Sequence, residues 1–253
     1  MALGLVLAGF IQGLAGFGSG LVAIGVLVTF YSPYTVVPAL LIINLITNSI
    51  LIYENKKLIT KDYFNGNNII NFNSLVCAIF GLVIGANVLI ILDTKYVNTI
   101  LGFLLIIISS YYIIIDLKLI NRRFKISSIS NNKLVALSST FISGSLEGFV
   151  GLGGPPIVIF MYICKVKKNV FILTFSLFFI ILNPFRFILY YNKGLYSLYV
   201  IQVTLYILIF IIIGLIFGII IRRKIVNDKI FSKMVLIILI IIGTNLIRQH
   251  LFA

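Results

Sequence analysis

Apolar residues fall in eight long blocks separated by short polar stretches, at roughly 2–30, 35–53, 69–92, 97–116, 134–164, 170–191, 198–221 and 231–248. The block "LYVIQVTLYILIFIIIGLIFGIII" (198–221) contains no charge, and it is longer than the roughly 20 residues a helix needs to cross a bilayer. The pattern predicts an all-α integral membrane protein. Between the fourth and fifth blocks, "LKLINRRFKISSISNNK" (117–133) is polar, basic and rich in Ser and Asn. It reads as a linker between two halves, 1–116 and 134–253, of a single transmembrane domain.

One block is interrupted from within. "EGFVGLGGPPIVIF" (147–160) places four glycines and two adjacent prolines in its core, and these are the two poorest helix formers. As one helix, 134–164 would run about 46 Å, against a hydrocarbon core near 30 Å. Broken at Gly151–Pro156, it gives a helix of about 15 residues and a short one of about 8, neither of which spans well at 1.5 Å per residue. Pro155 and Pro156 cannot continue the first helix but suit the opening turn of a second. A re-entrant hairpin and a single long, kinked helix both fit this pattern.

The distribution of charge favours the hairpin. If every block crosses once, ten Lys and Arg fall on one face and nine on the other, against the positive-inside bias. If 134–164 returns to the side it entered, loops 53–68, 117–133, 164–169 and 222–233 share a face, and the split becomes sixteen to three. That face is then the cytoplasmic one.

The halves also resemble each other. "AGFIQGLAGFGSG" (8–20) aligns with "SGSLEGFVGLGGP" (143–155) at an offset of 135, "YENKKLI" (53–59) with "YYNKGLY" (190–196) at 137, and "GLVIG" (81–85) with "GLIFG" (214–218) at 133. By this repeat, block 2–30 is also a re-entrant hairpin, broken around "GLAGFGSG". Each half then holds one hairpin plus three crossings. Three is odd, so the halves have opposite orientation. The expected fold is an inverted repeat with its two broken tips meeting near the midplane.

Composition narrows the function. The chain is 61% hydrophobic and 10% charged, with a mean hydropathy of +1.18. Its net charge of +14 comes from Lys and Arg scattered through short loops, which form no nucleic-acid groove. The N-terminus "MALGLVLAGF" lacks the positive region of a cleavable signal. Cys77 and Cys164 lie in or beside apolar blocks and the one histidine, His250, is in the tail. No metal-ligand cluster, nucleophile–base pair or nucleotide motif is present, so neither an enzyme, a cofactor nor direct use of ATP is expected.

Broken tips suit an anion. The free N–H groups at the start of a half-helix carry partial positive charge, and glycine admits close approach of a ligand. In the second tip Gly151, Leu152, Gly153 and Gly154 are candidates, and Leu152, Gly153 and Gly154 can donate N–H groups. In the first, Gly16, Phe17, Gly18, Ser19 and Gly20 are the counterparts, with the Ser19 hydroxyl as an added donor. The plainer reading is that these glycines only allow tight helix packing.

Gly144-x-x-x-Gly148-x-x-Gly151-x-Gly153-Gly154-Pro155, with its partner Gly9-x-x-x-Gly13-x-x-Gly16-x-Gly18-x-Gly20, resembles the sulfite exporter TauE/SafE family of membrane transporters over nearly the whole chain. The resemblance implies a carrier of sulfite, sulfonates or other small sulfur or organic anions, often outward. Ser19-Gly20 in place of Gly154-Pro155, and Glu147 where the family more often has a small residue, are departures that bear on coupling and substrate.

Polar residues inside the blocks complete the candidate site. Arg186 stands at i+3 from Asn183, on one helix face, and its guanidinium can grip an oxyanion bidentately; alternatively it snorkels outward. Pro184 is expected to kink this helix. Glu147 has three readings: a proton-coupling group, a partner for Arg186, or a residue facing water. Asn44, Thr47 and Asn48 form a polar stripe whose simplest use is interhelical hydrogen bonding. Gly81-x-x-x-Gly85 and Gly214-x-x-x-Gly218 read as helix-packing faces.

The expected function is secondary transport of a small anion such as sulfite or a sulfonate across a cytoplasmic membrane by a multi-pass protein. A non-transporting membrane subunit and a passive anion channel are the alternatives. The expected partners are the anion and the lipid bilayer, with a homo-oligomer left open, and no nucleic acid.

Overall fold

The computed structural model describes residues 1–59, 70–93, 133–164 and 166–224, and scattered positions between 96 and 107. The blocks at 97–116 and 231–248 and the linker 117–133 lie wholly or mostly outside the described residues. Among the described residues the elements are all helical: α1 (Ala2–Ala15), α2 (Ser19–Leu27), α3 (Pro33–Asn55) with a 3-10 turn Lys56–Leu58, α4 (Phe72–Ile91), α5 (Lys133–Val150), α6 (Gly154–Ile163), α7 (Lys168–Asn192) and α8 (Leu198–Lys224). Four helical stretches are long and apolar enough to cross a membrane: Pro33–Leu58, Phe72–Ile91, Lys168–Asn192 and Leu198–Arg223.

The two interrupted blocks are helix–break–helix. The αL glycines Gly16 (φ 85°) and Gly151 (φ 76°) stop α1 and α5, a conformation glycine adopts without the Cβ penalty. Pro155 and Pro156 fall in the first turn of α6, as their missing N–H groups require. α5 and α6 have 18 and 10 residues, each somewhat longer than the break alone suggests. The chain reverses at the second break: the Ser143 hydroxyl donates to the Gly153 carbonyl at 2.6 Å, where a continuous helix would hold the two about 15 Å apart. A single kinked helix is therefore not what forms. α7 continues through Pro184, and α3 through Pro38.

The chain divides into two compact units. Met1–Val37, Leu92–Phe124 and Leu205–Ala253 form the first, Pro38–Ile91 and Lys125–Thr204 the second. Each takes segments from both sides of the basic linker.

In the first unit, α1 packs on α2 and on α8, and the crossing is made by glycines. A Cβ at Gly9 or Gly13 would overlap the Ile211 or Leu215 carbonyl, and one at Gly214 or Gly218 would overlap the Val6 or Phe10 carbonyl. Leu5, Ala8, Ile24, Ile207, Ile211 and Leu215 fill the core around this crossing.

The second unit contains a matching crossing of α5 on α4. Gly144 and Gly148 meet the Ala78 and Leu82 carbonyls, and Gly81 and Gly85 meet those of Phe141 and Ser145. Every one of these pairs maps onto its counterpart in the first unit at the repeat offsets of 135 and 133. The glycine faces expected from sequence are therefore packing faces, and each joins a helix from before the linker to one from after it. The outward sides of α4 and α8 carry Phe80, Ile84, Val88, Ile209 and Phe217, the apolar surface that a membrane helix shows to lipid.

Candidate functional site

Within the second unit the hairpin tip is tied down from α5. Gly151 N–H donates to the Glu147 carbonyl at 3.1 Å, and Leu152 N–H to the Leu146 carbonyl at 3.3 Å. Gly153 N–H donates to Glu147 Oε2 at 3.1 Å. Leu152 and Gly153, expected as free donors for an anion, are thus already engaged within the hairpin. No Cβ fits at Gly153, where one would stand 2.5 Å from the Ser143 carbonyl oxygen and 2.7 Å from Glu147 Cβ.

α7 lies against this tip. Phe175 faces Gly154 and Phe179 faces Gly153. Two turns beyond Phe179, Arg186 Nη1 donates to Glu147 Oε1 at 2.5 Å. The guanidinium lies beside Gly151, where an added Cβ would come within 2.9 Å of Nη2, and 5.0 Å from the Tyr190 ring centroid. The Tyr190 hydroxyl donates to the Gly148 carbonyl at 2.6 Å. Arg186 is 0% exposed and Glu147 2%. Arg186 therefore does not snorkel and Glu147 does not face water. The reading that pairs them is the one the geometry matches. Removing one member of such a pair costs about 3–5 kcal/mol, because the other charge is left buried.

Asn183, also on α7, is 0% exposed, and neither its amide nitrogen nor its oxygen has a hydrogen-bond partner. At about 100° per residue it sits about 20° from Tyr190 and about 40° from Phe179 around the helix. Both of those side chains touch the hairpin, so Asn183 lies on the face of α7 that packs against it. Ser176, two turns earlier on the same face, is equally buried and its hydroxyl is also without a partner. Each orphaned buried group costs about 1–3 kcal/mol.

The polar stripe lies on α3, a helix that approaches the end of α7. The Tyr196 hydroxyl, whose pKa burial pushes up, donates to the Pro38 carbonyl at 3.4 Å. The 3-10 turn after α3 touches α7. Pro38 and that turn are about 26 Å apart along α3, so the two helices run antiparallel. Thr47 and Asn48 are buried, and the Thr47 hydroxyl donates to the Asn44 carbonyl at 3.3 Å.

The first unit has its own version of the tip. Gly16 N–H donates to the Gln12 carbonyl at 2.8 Å. Gln12 Oε1 accepts from the Ser19 N–H at 3.1 Å and from its hydroxyl at 2.9 Å, so the expected Ser19 donor is also used locally. Gln12 aligns with Glu147 at the offset of 135. Sequence reasoning passed over Gln12, although the alignment of the two glycine motifs sets the two residues side by side. It also passed over Tyr190, at i+4 from Arg186, and Ser176, at i−7 from Asn183.

Among the described residues no group of His, Cys, Asp and Glu could hold a metal ion. The family model for the sulfite exporter TauE/SafE matches residues 1–246. No curated protein and no solved structure matches the chain.

Proposed function

Because the chain belongs to the sulfite exporter TauE/SafE family, a family of membrane transporters rather than enzymes, we propose that it is a secondary carrier moving a small sulfur oxyanion or sulfonate outward across the cytoplasmic membrane. One observation carries the assignment of the site. A fully buried Arg186 lies against a broken-helix tip, with the unpartnered amide of Asn183 beside it. An oxyanion has acceptor oxygens for the guanidinium and the amide at once, and for the Gly153 N–H in place of Glu147 Oε2. Gly151, Leu152, Gly153 and Gly154 form the near wall of this seat. Gly16, Phe17, Gly18, Ser19 and Gly20 take the matching part in the first unit.

The inverted repeat belongs to the same proposal. It is supported by the sixteen-to-three charge split and by glycine crossings of the same register in the two units. The deciding experiment is flux of sulfite and methanesulfonate by the purified protein in liposomes. Uptake that is accelerated by anion on the opposite side establishes a carrier. Uptake without that acceleration indicates a channel, and no flux above empty liposomes indicates a subunit without transport activity. Either of the last two refutes the reading.

A further inference from the structure

We propose that Glu147 is a tethered anion occupying the substrate's seat, and that an arriving oxyanion displaces it as it takes up one proton. This rests on the anion-carrier reading above and names its coupling ion.

The carboxylate already makes the contacts a free oxyanion would seek. One oxygen takes Arg186 Nη1 at 2.5 Å and the other the Gly153 N–H at the start of α6 at 3.1 Å. The first unit shows that closing the hairpin does not require this charge. There the amide oxygen of Gln12, a neutral group, holds the Ser19 N–H at 3.1 Å. A neutral acceptor is sufficient to cap a tip, so the charge on Glu147 answers Arg186 rather than the break. Beside the pair, Asn183 offers an amide with no partner. The resident carboxylate spends its two oxygens on Arg186 and the tip, whereas an oxyanion with three oxygens has one left for the Asn183 donor.

Displacement needs a proton for a simple reason. Glu147 is 2% exposed, and a carboxylate separated from its cation in such a place is an uncompensated buried charge, so the exchange has to bring a proton with it. The groups facing it are Arg186 and Tyr190 from α7 and the Gly153 N–H from the tip. Tyr196, beyond α7, interacts with Arg186 rather than with Glu147 directly. α4, packed along α5, carries no charged residue, and Cys77 is its one ionisable side chain. Before exchange the seat holds Arg186 cation and Glu147 anion. Afterwards it holds Arg186 cation and substrate anion, with Glu147 protonated. Its net charge is unchanged, and one proton accompanies each monovalent anion.

The test is calorimetric titration of the full-length purified protein with sulfite and with methanesulfonate, in buffers of different ionisation enthalpy. Wild type should bind and take up about one proton per methanesulfonate. Glu147→Gln keeps an acceptor for the Gly153 N–H, as Gln12 does in the first unit, but removes the competitor. If the carboxylate holds the seat nine-tenths of the time, the variant should bind methanesulfonate about tenfold tighter, without proton uptake. Its melting temperature should fall in anion-free buffer and recover on adding sulfite by more than wild type gains. Should Glu147→Gln fail to fold even with sulfite present, Glu147→Asp decides. It retains the charge but is one methylene shorter and cannot bridge Arg186 and Gly153, so it should bind methanesulfonate more tightly than wild type and still take up a proton. Binding by wild type with weaker or equal binding by the folded variant overturns the displacement and leaves the carrier reading standing. No binding of either anion by wild type overturns the carrier reading itself.

Discussion

Replacing Gly85 by alanine probes the crossing that supports the tip. Gly85 faces the backbone of α5, and a Cβ there would overlap the Ser145 carbonyl oxygen and lie 2.7 Å from the Phe149 amide nitrogen. Helix propensity alone favours the change, since alanine is better than glycine in a helix interior by about 1 kcal/mol. Overpacking opposes it with about 1–3 kcal/mol. The upper end applies because the obstacle is backbone, which cannot rotate away. The net expectation is a loss of about 2 kcal/mol, and for a chain of this size about 2–4 °C of melting temperature accompanies each kcal/mol. Gly85→Ala should therefore melt about 4–8 °C below wild type, at the rate just given, as followed by helical circular dichroism in detergent.

Val88→Ala is the control, because Val88 lies on the outward side of the same helix and should shift the melt little. Gly218→Ala, at the matching crossing of the first unit, would bring a Cβ against the Phe10 carbonyl and should cost about as much as Gly85→Ala. An unchanged or raised melting temperature in Gly85→Ala would mean that α4 and α5 are not held at backbone contact. The account of how Glu147 is positioned would then fail with it.

Two further outcomes follow. Tyr190→Phe removes the hydroxyl bonded to the Gly148 carbonyl at 2.6 Å in a fully buried site and should cost about 1–2 kcal/mol of stability; chemical denaturation showing no change in midpoint would deny that bond a role. Single cysteines placed in loops 117–133 and 164–169 should both resist impermeant thiol reagents in intact cells, because the charge bias puts both inside; labelling of only one would remove the inverted repeat.

What the sequence revealed depended on how locally each feature is determined. The break in α5 was legible because glycine and proline act on the backbone within a few residues, and Gly151 and Pro155 need no partner to act. The glycine faces of α4 and α8 were legible as packing faces, but their partners were not. Gly81 is matched with Phe141 across a separation of 60 residues, and nothing in a small residue names its neighbour. Arg186 and Glu147 stand 39 residues apart, and their pairing was legible only as one of three readings of Glu147, because nothing local to either charge names the other. Gln12 was invisible because a neutral amide in an apolar block carries no such demand. Its role arises only when the chain turns back and brings Ser19 to it.

The two tips show why a break of this kind needs the residue four before its αL glycine. When Gly16 or Gly151 turns the chain, its own N–H still reaches the carbonyl of Gln12 or Glu147, at 2.8 and 3.1 Å. The same residue's side chain then points along the returning strand of chain. There it takes a tip N–H, that of Ser19 in one case and of Gly153 in the other. One position thus closes the old helix with its backbone and caps the new one with its side chain, and only a side chain with an oxygen at the end of two methylenes has the reach. The next residue, Gly13 or Gly148, must be bare because a carbonyl of the crossing helix, Leu215 or Leu82, passes over it. These demands determine Gln/Glu-Gly-x-x-Gly in both halves without reference to charge. What they leave free is the choice between amide and carboxylate. The half with the carboxylate is the half in which the neighbouring helix brings Arg186. In sequence, the position 137 residues before Arg186 is Ser49, whose hydroxyl is bonded to the Leu45 carbonyl of its own helix at 2.7 Å. The carboxylate therefore goes with Arg186 rather than with the break, which an amide caps in the first unit.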